Sequence, residues 1–263
     1  MAKKETKAEP KDLIEAVPEE LEKLEKDKEV LEELSIVPEP EISKEERNKR
    51  DSLARWVPKT ALGKEVLAGK VKDIDQILAQ GRKILEPEIV DSLINLQIDL
   101  LLIGQAKGKF GGGKRRAWRQ TQKKTKEGNV IAFSCMAIVG DKNSHIGIGY
   151  GKAKETLPAR EKAIRKAKLN LIKITRGFES REEATADPHT VPYKVEGKCG
   201  SVRLKLMPAP RGTGLVVGDE CKKILRLAGI KDVYGVSGGS TRTTFNLAKA
   251  CIDALIKTNK MKL

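Results

Sequence analysis

Apolar residues recur at helical or strand spacing in several segments after residue 46, and polar or basic stretches separate these segments. Ile74 and Ile77 lie about one helical turn apart, Gly81 marks the end of that helix, and Pro87 begins a second helical piece. We expect these pieces to form a compact adaptor over residues 47–95 that does not fold independently.

A hairpin and a long helix are predicted after the adaptor. The runs VIAFSCMAIVG (130–140) and HIGIGYG (145–151) indicate two strands, joined by the turn DKNS. Residues 152–174 indicate one amphipathic helix, which Thr156 can cap and which has Pro158 in its first turn, where a missing N–H costs nothing. The apolar stripe predicted for this helix consists of Ile164, Ala167, Leu171 and Ile174.

A small α/β layer is predicted over residues 190–258, after a polar link over residues 177–189. YKVEGKCG, SVRLKLMPAP and KDVYGVSGG indicate strands, and RGTGLVVG indicates a glycine-rich turn. DECKKILRLAGI indicates a helix that ends at Gly229. The last helix, TRTTFNLAKACIDALIKT, precedes a short basic tail, residues 259–263, and its apolar stripe consists of Phe245, Ala248, Ile252 and Leu255.

Charge is distributed unevenly along the chain. The 52 lysines and arginines and 37 acidic residues give a net charge of +15, yet residues 1–46 hold 8 basic and 16 acidic residues. The remainder holds 44 basic and 21 acidic residues. We expect the acidic segment to be a disordered, solvated tail rather than a docking motif, because it cannot bury enough surface to fold. The basic remainder favours a polyanionic partner, nucleic acid first and an anionic membrane surface second.

Several classes of function lack their motifs in this sequence. It contains no run of about 18 apolar residues that could span a bilayer, and its N-terminus lacks the apolar core of a secretion signal. Cys135, Cys199, Cys221 and Cys251 are scattered and there are only two histidines, so no metal site is indicated. We expect free thiols in a reducing cytosol, with no metal, no cofactor, no small-molecule substrate and no membrane partner.

The glycine-rich stretch HIGIGYGKAKET, residues 145–156, does not match a nucleotide-binding loop. A GxxxxGK(S/T) loop requires glycine at Ile146 and a hydroxyl at Ala153, and a GxGxxG fingerprint requires glycine at Lys152. The alternating glycines instead leave one face of a strand bare, which allows close approach of a packed helix or of an RNA strand. The glycines of RGTGLVVG could present N–H groups to a phosphate at a helix start, but they form a weak enzyme motif. We predict no catalytic residue.

Residues 104–129, GQAKGKFGGGKRRAWRQTQKKTKEGN, are the strongest candidate for a binding segment. Residues 107–126 contain nine basic residues and no acidic one, with Phe110 and Trp118 among them. A solvated loop is one interpretation. So many uncompensated cations favour a flexible finger that lays its cations on phosphates while an aromatic ring stacks on an exposed base. The RNA-binding candidates in this finger are Lys107, Lys109, Lys114, Arg115, Arg116, Trp118, Arg119, Lys123, Lys124 and Lys126.

Further RNA-binding candidates follow the glycine-rich strand. On the predicted helix a basic face lies away from the apolar stripe, although lysines on a helix are often only a solvated face. The apolar edges of the α/β layer favour contact with another protein. The candidates are Lys152 and Lys154 at the strand end, Arg160, Lys162, Arg165 and Lys166 on the helix, and Arg203, Arg211 and Arg242 in the α/β layer.

Two long segments resemble the universal S5 family of small-subunit ribosomal proteins. The run from TQKKTKEGN to KAKLNL is similar to the first domain of that family, and the run from PHTVPYKVEGKCG to TRTTFNLAKACIDAL is similar to its second domain. Together they cover about residues 115–258. WVPKTALG and PHTVPYKVEGKCGSV are similar to the archaeal and eukaryotic branch, and GYGKAKETLPAREKAIRKAKLNLI resembles archaeal members.

The resemblance implies an α+β fold with two domains. The first, residues 96–176, is a double-stranded-RNA-binding-like domain with a three-stranded sheet and one helix, whose first strand is either QIDLLLIG or RRAWRQTQ. The second, residues 190–258, is a βαβα domain with a left-handed crossover, against the usual rule.

The resemblance also implies a non-enzymatic constituent of the cytoplasmic small ribosomal subunit. Such a protein contacts small-subunit ribosomal RNA and neighbouring ribosomal proteins near the messenger RNA entrance, and family members support decoding accuracy and messenger entry. A free-standing double-stranded-RNA-binding regulator and a nucleotide-using enzyme are the alternatives.

Overall fold

Two β-sheets and six helices make up the part of the chain that the computed structural model describes, which is residues 53–106, 115–179 and 187–259. This mixed architecture confirms the α+β class. The predicted acidic tail, residues 1–46, lies outside the described residues, as do Lys107, Lys109, Phe110 and Lys114 of the predicted finger.

Three short helices form the adaptor: α1 (Ala61–Leu67), α2 (Ile74–Ala79) and α3 (Pro87–Leu93). The backbone N–H of Gly63 donates to the Thr60 hydroxyl at the start of α1, and Pro87 opens α3, as expected at a first helical position. Their buried residues pack on the first sheet and on its helix through Val139, Ala167 and Leu171. The adaptor therefore shares a core with the sheet.

The first sheet contains β1 (Gln97–Leu100), β2 (Trp118–Thr125), β3 (Gly128–Gly140), β4 (His145–Ala153) and β5 (Leu171–Lys173). Both candidates for the first strand belong to it. β1 pairs with one end of β3 and β2 with the other, while β4 pairs with β3 and β5 with β4. The expected three-stranded sheet is thus wrong, because two strands share one side of the 13-residue β3 and β5 extends the far edge.

The helix after the hairpin, α4 (Thr156–Leu169), is shorter than predicted and buries a different face. Its buried residues are Ala159, Ala163 and Ala167, whereas Ile164 is only partly buried. The predicted stripe is wrong beyond the helix end, since Leu171 lies in β5 and Ile174 follows it. Thr156 is also not the cap, because it is the first helical residue and Glu155 precedes it.

The alternating glycines of β4 explain the alanine face. A Cβ added at Gly147, Gly149 or Gly151 would stand 2.2, 2.1 and 2.1 Å from backbone carbonyl oxygens of α4. Those oxygens belong to Ala167, Ala163 and Ala159, respectively. The bare strand face therefore receives a packed helix, and an RNA strand has no room there.

The second sheet contains β6 (Val195–Cys199), β7 (Val202–Pro208), β8 (Leu215–Val216) and β9 (Val233–Gly238), in the order β6-β7-β9-β8. Helices α5 (Asp219–Leu227) and α6 (Thr244–Thr258) complete this layer. Gly229 follows α5 with φ 81°, which confirms the predicted stop. The predicted glycine-rich turn contains the short β8, which pairs parallel to β9. In α6, Ala248, Ile252 and Leu255 are buried and Phe245 packs against the core, as predicted.

A single buried core joins the two sheets. Met136, Ile138 and Ile146 of the first sheet belong to the same cluster as residues of α5 and α6. The rings of Tyr150 and Phe245 meet edge-on across this junction, with 5.4 Å between their centroids. The sheets therefore form walls of fixed relative position around the clefts described below.

A buried histidine links the adaptor to the hairpin turn. His145 is 7% exposed; its Nδ1 lies 2.7 Å from Asp141 Oδ2 and its Nε2 lies 2.8 Å from Asp75 Oδ1. Asp141 also accepts hydrogen bonds from the backbone N–H groups of Asn143, Ser144 and His145. The predicted DKNS turn is confirmed, and its aspartate is what holds the histidine.

Candidate nucleic-acid interface

The β2–β3 hairpin extends beyond the sheet as a two-stranded ribbon. Residues 118–124 and 128–131 are exposed on both faces, and the ribbon turns between Thr125 and Gly128, which are paired. The prediction of a flexible finger is therefore wrong for residues 118–125. Pairing with β3 satisfies the backbone of this segment although it buries few side chains.

Neighbouring lysines of the ribbon point to opposite faces, because side chains alternate along a strand. Lys123 shares a face with Arg119, Ser134 and Lys152. Lys124 lies on the other face together with Trp118, which remains 39% exposed, while Lys126 is at the turn. The ribbon therefore offers cations to two sides at once.

A cleft of about 660 Å³ lies where the first sheet meets the start of α6. Arg115 and Arg119 line one wall and Arg242 lines the other, together with the hydroxyl-bearing residues Ser240 and Thr243. Arg115 and Ala106 form an isolated β-bridge, and both residues stand at the rim of the cleft. We call this the arginine cleft. It brings together Arg115 and Arg119 of the first domain and Arg242 from the loop before α6, more than 120 residues away in the sequence.

The cations of α4 lie on its exposed surface. Arg160, Lys162, Arg165 and Lys166 are all exposed, opposite the buried alanines. Lys168, which was not a candidate, is instead held by Asp91 of the adaptor at 2.6 Å, with both side chains largely buried. The basic face of the helix is thus exposed, and its contact with RNA stays a prediction.

The remaining candidates are dispersed. Lys152 lies beside the ribbon on the Arg119 face, and Lys154 is exposed just after β4. Arg203 lies on the outer face of the second sheet. Arg211 donates a hydrogen bond to the Asp187 carbonyl, 3.2 Å away, so part of its role is to hold the loop. Arg116 is exposed next to the arginine cleft.

A second cationic cleft escaped the sequence reasoning. A cavity of about 790 Å³ is lined by five basic residues from four separate segments of the chain, together with Asp187. Only the fold assembles them, and no local motif could have found them. These residues are Lys142, Arg176, Lys222, Arg226 and Lys231.

Neither the glycine-rich turn before α5 nor the cysteine thiols support a catalytic role. Asp219 and Glu220 occupy the first turn of α5, where a bound phosphate would meet two carboxyl groups. Burial raises the pKa of the Cys135 thiol, and a hydrogen bond with Cys221 together with burial raises the pKa of Cys251. These thiols therefore stay protonated and poorly nucleophilic. Within the described ranges all four cysteines are free, and no group of side chains is arranged to hold a metal ion.

None of the helices in the described part of the chain has the length and apolar character needed to cross a bilayer.

Comparison with known proteins identifies the family. The model of the ribosomal protein S5 N-terminal domain matches residues 117–175, and that of the S5 C-terminal domain matches residues 197–262. Small ribosomal subunit protein uS5 of Nanoarchaeum equitans is 49% identical over 213 residues, which cover 81% of this chain and 91% of that protein. Its counterpart from Methanoregula boonei is 45% identical over 80% of this chain and 95% of that protein. The Thermofilum pendens protein is 43% identical over 77% and 94%.

The chain belongs to the ribosomal protein S5 family. This confirms the resemblance drawn from the sequence, including its archaeal character, because these relatives come from archaea. The family is structural rather than enzymatic, so the nucleotide-using enzyme is ruled out as an alternative.

Proposed function

We propose that this chain is a structural constituent of the small ribosomal subunit, where it binds small-subunit ribosomal RNA and neighbouring ribosomal proteins. The observation that carries the proposal is the β2–β3 ribbon, a backbone-paired element with exposed cations on both faces. Such an element buries too little apolar surface to be explained by folding alone, whereas RNA phosphates would neutralise it. Membership in a family whose relatives are named small ribosomal subunit proteins supports the same conclusion.

The position of the chain within the subunit is also part of the proposal. We infer that the chain sits near the messenger RNA entrance, where Lys123, Lys124 and Lys126 favour separated strands and thereby support messenger entry and decoding accuracy. No motor is required, because fixed cations around an entrance stabilise single strands while translocation supplies the energy. The remaining RNA-binding candidates, those on α4 included, are proposed to face ribosomal RNA.

The domain division is likewise proposed. Residues 47–95 form the adaptor, residues 96–176 the double-stranded-RNA-binding-like domain, residues 177–189 the linker and residues 190–258 the second domain. We propose the left-handed crossover for that domain. A parallel β8–β9 pair joined through α5 supplies the connection that such a crossover needs. The acidic segment 1–46 is proposed to be a disordered tail, and residues 259–263 a basic one.

Neutralising the ribbon should weaken RNA binding in a salt-dependent way. We expect replacement of Lys123, Lys124 and Lys126 by glutamine to reduce the slope of log K against log salt by about two to three, since each lost phosphate contact removes about one unit or slightly less. The measurement is a titration of Nanoarchaeum equitans small-subunit ribosomal RNA, transcribed in vitro, at several KCl concentrations.

The matched control removes the same charge from the adaptor. Lys64, Lys70 and Lys72 are exposed there, and their triple replacement by glutamine should leave the slope nearly unchanged. Equal slopes for the ribbon variant and this adaptor variant would contradict the role of the ribbon.

Sedimentation tests the function itself. The full chain, expressed with an epitope in an archaeal host, should co-sediment with the small subunit in a sucrose gradient and remain there at moderate salt. Sedimentation apart from ribosomes, combined with binding of generic duplex RNA by the isolated chain, would instead identify a free-standing regulator.

A further inference from the structure

We propose that the arginine cleft is a composite site in which Arg115, Arg119 and Arg242 hold one continuous stretch of RNA backbone against both sheets. This inference rests on the proposed function and adds to it the surface that fixes the RNA most rigidly. Neither sheet alone contains the site, because Arg115 and Arg119 belong to one wall and Arg242 to the other.

The first argument is unbalanced charge. All three arginines are exposed, and within the described residues none of their guanidinium groups forms an ion pair with a carboxylate. Among the described residues, the carboxyl groups nearest the cleft are those of Asp219 and Glu220, which line an adjoining groove together with Arg115 and Arg242. Arg119 does not line that groove. Glu220 there already accepts a hydrogen bond from the Leu102 N–H at 3.1 Å. The Arg119 end therefore presents positive charge that an anion can neutralise.

The second argument is the kind of cation. Among the described residues, the basic side chains that line the arginine cleft are all arginines, whereas the basic residues from Lys123 to the ribbon turn are lysines. Arginine presents a planar fork that pairs with two phosphate oxygens at once, while lysine acts as a mobile point charge. The cleft is thus suited to fixed recognition of a phosphate group, and the hydroxyl-bearing Ser240 and Thr243 add donors beside it.

The third argument is length. Arg119, Lys152 and Lys123 share one face of the first sheet, so the cationic surface continues out of the cleft along the ribbon. Four residues along an extended strand span roughly 13 Å, so Arg119 and Lys123 can each contact a different phosphate along one strand of RNA. A line of charge of this length fits several consecutive phosphates of a polymer rather than one free phosphate or one nucleotide.

Bridging both walls has a mechanical consequence. The two sheets already share a core, and RNA bound across the cleft would hold the loop before α6 and the base of the ribbon in one arrangement. RNA bound in the cleft would thus fix the base of the ribbon. A fixed base would in turn orient Lys123 and Lys124 toward the RNA that they contact.

The test compares three variants of the full chain with the parent, again using transcribed Nanoarchaeum equitans small-subunit ribosomal RNA. The first replaces Arg115, Arg119 and Arg242 by glutamine, the second replaces them by lysine, and the third is the adaptor variant with Lys64, Lys70 and Lys72 replaced by glutamine. We expect the glutamine variant of the cleft to reduce the salt slope by about two to three. The lysine variant should keep the slope yet bind about tenfold more weakly, because charge remains and the paired hydrogen bonds do not.

Every other outcome contradicts a specific part of the proposal. If the parent binds and the cleft glutamine variant matches the adaptor variant, the cleft is not an RNA site although the proposed function stands. A lysine variant equal to the parent would reject fixed arginine recognition. Displacement of the cleft-dependent binding by inorganic phosphate or AMP at constant ionic strength would indicate a small-anion site. A cleft variant that binds RNA normally but fails to enter the subunit would indicate a protein contact. Failure of the parent itself to bind would refute the proposed function instead.

Discussion

Replacing Gly149 by alanine is expected to destabilise the fold by about 3 kcal/mol or more, because the added methyl group has no space. Its Cβ would stand 2.1 Å from the Ala163 carbonyl oxygen and 2.3 Å from the Ala167 amide nitrogen. Both atoms belong to the backbone of α4, so the whole helix must move away from β4, and overpacking of this kind typically costs 1 to 3 kcal/mol, sometimes more, as rough central values. Urea unfolding monitored by circular dichroism measures the change.

A glycine in the second sheet provides the control. Gly238 also lies in a strand, and an added Cβ there would meet nothing within 4 Å. Its replacement by alanine should change the unfolding free energy by less than about 1 kcal/mol. If the alanine variants at Gly149 and Gly238 were equally stable, close helix packing would not be the reason for the glycines of β4, and the bare face would again be open to another occupant.

Replacing His145 by glutamine is expected to cost about 2 kcal/mol or more below pH 6.5, and the difference should shrink as the pH rises. Burial disfavours the charged ring, but hydrogen bonds to Asp141 and Asp75 outweigh it and raise the pKa of His145 above 6.5. Glutamine cannot supply the positive charge between the two carboxylates, so a largely buried Asp141 loses its ionic partner.

The direction of the pH dependence follows from these shifts. A histidine whose pKa is raised by folding contributes its full stabilisation below 6.5 and loses it as the pH rises through the folded value. Burial opposes ionisation of Asp141, yet hydrogen bonds from His145 and three backbone N–H groups hold its pKa well below the ordinary 3.8. The Lys173 ammonium is the main cause of the lowered pKa of Asp75. The aspartate contributions are therefore present above about pH 4 and lost in acid, so this cluster stabilises most between about pH 4 and 6.5.

Unfolding midpoints of the parent and the His145→Gln variant, measured from pH 5 to 9, test this account. Lys173→Gln is the matched control, because its ion pair with Asp75 is about half exposed on both sides and should contribute at most about 1 kcal/mol. Parallel curves for the parent and the histidine variant across this range would show that the imidazole does not ionise as described.

The elements that the sequence predicted correctly are those with strong local signals. The β3–β4 hairpin carries long apolar runs and a polar turn, and Gly229 ends α5 with the positive φ that favours glycine. The α4 face was predicted wrongly because alanine contributes little apolar signal, although Ala159 and Ala163 are fully buried. The alanine face of α4 packs against β4 because the glycines of β4 leave room for the helix backbone. The spacing of apolar residues in the sequence does not reveal contacts of this kind.

The sequence located the basic segment of the candidate site but did not predict its three-dimensional arrangement. An excess of cations identified the segment, and part of it was one of two candidates for the first strand, but the sequence did not show that both candidates pair with β3. Arg119 and Arg242 line the same cleft only because the two sheets pack on a shared core. Neither local sequence predicts that packing. The second cationic cleft has the same origin, which is why none of its residues was anticipated.

The most direct test of the central claim is a cryo-electron-microscopy structure of an assembled small subunit that contains this chain. The account predicts phosphate oxygens of ribosomal RNA within about 4 Å of the side chains of Arg119, Lys123 and Arg242. It is contradicted if the ribbon and the arginine cleft both stand in solvent, farther than a Debye length of about 8 Å from any polynucleotide.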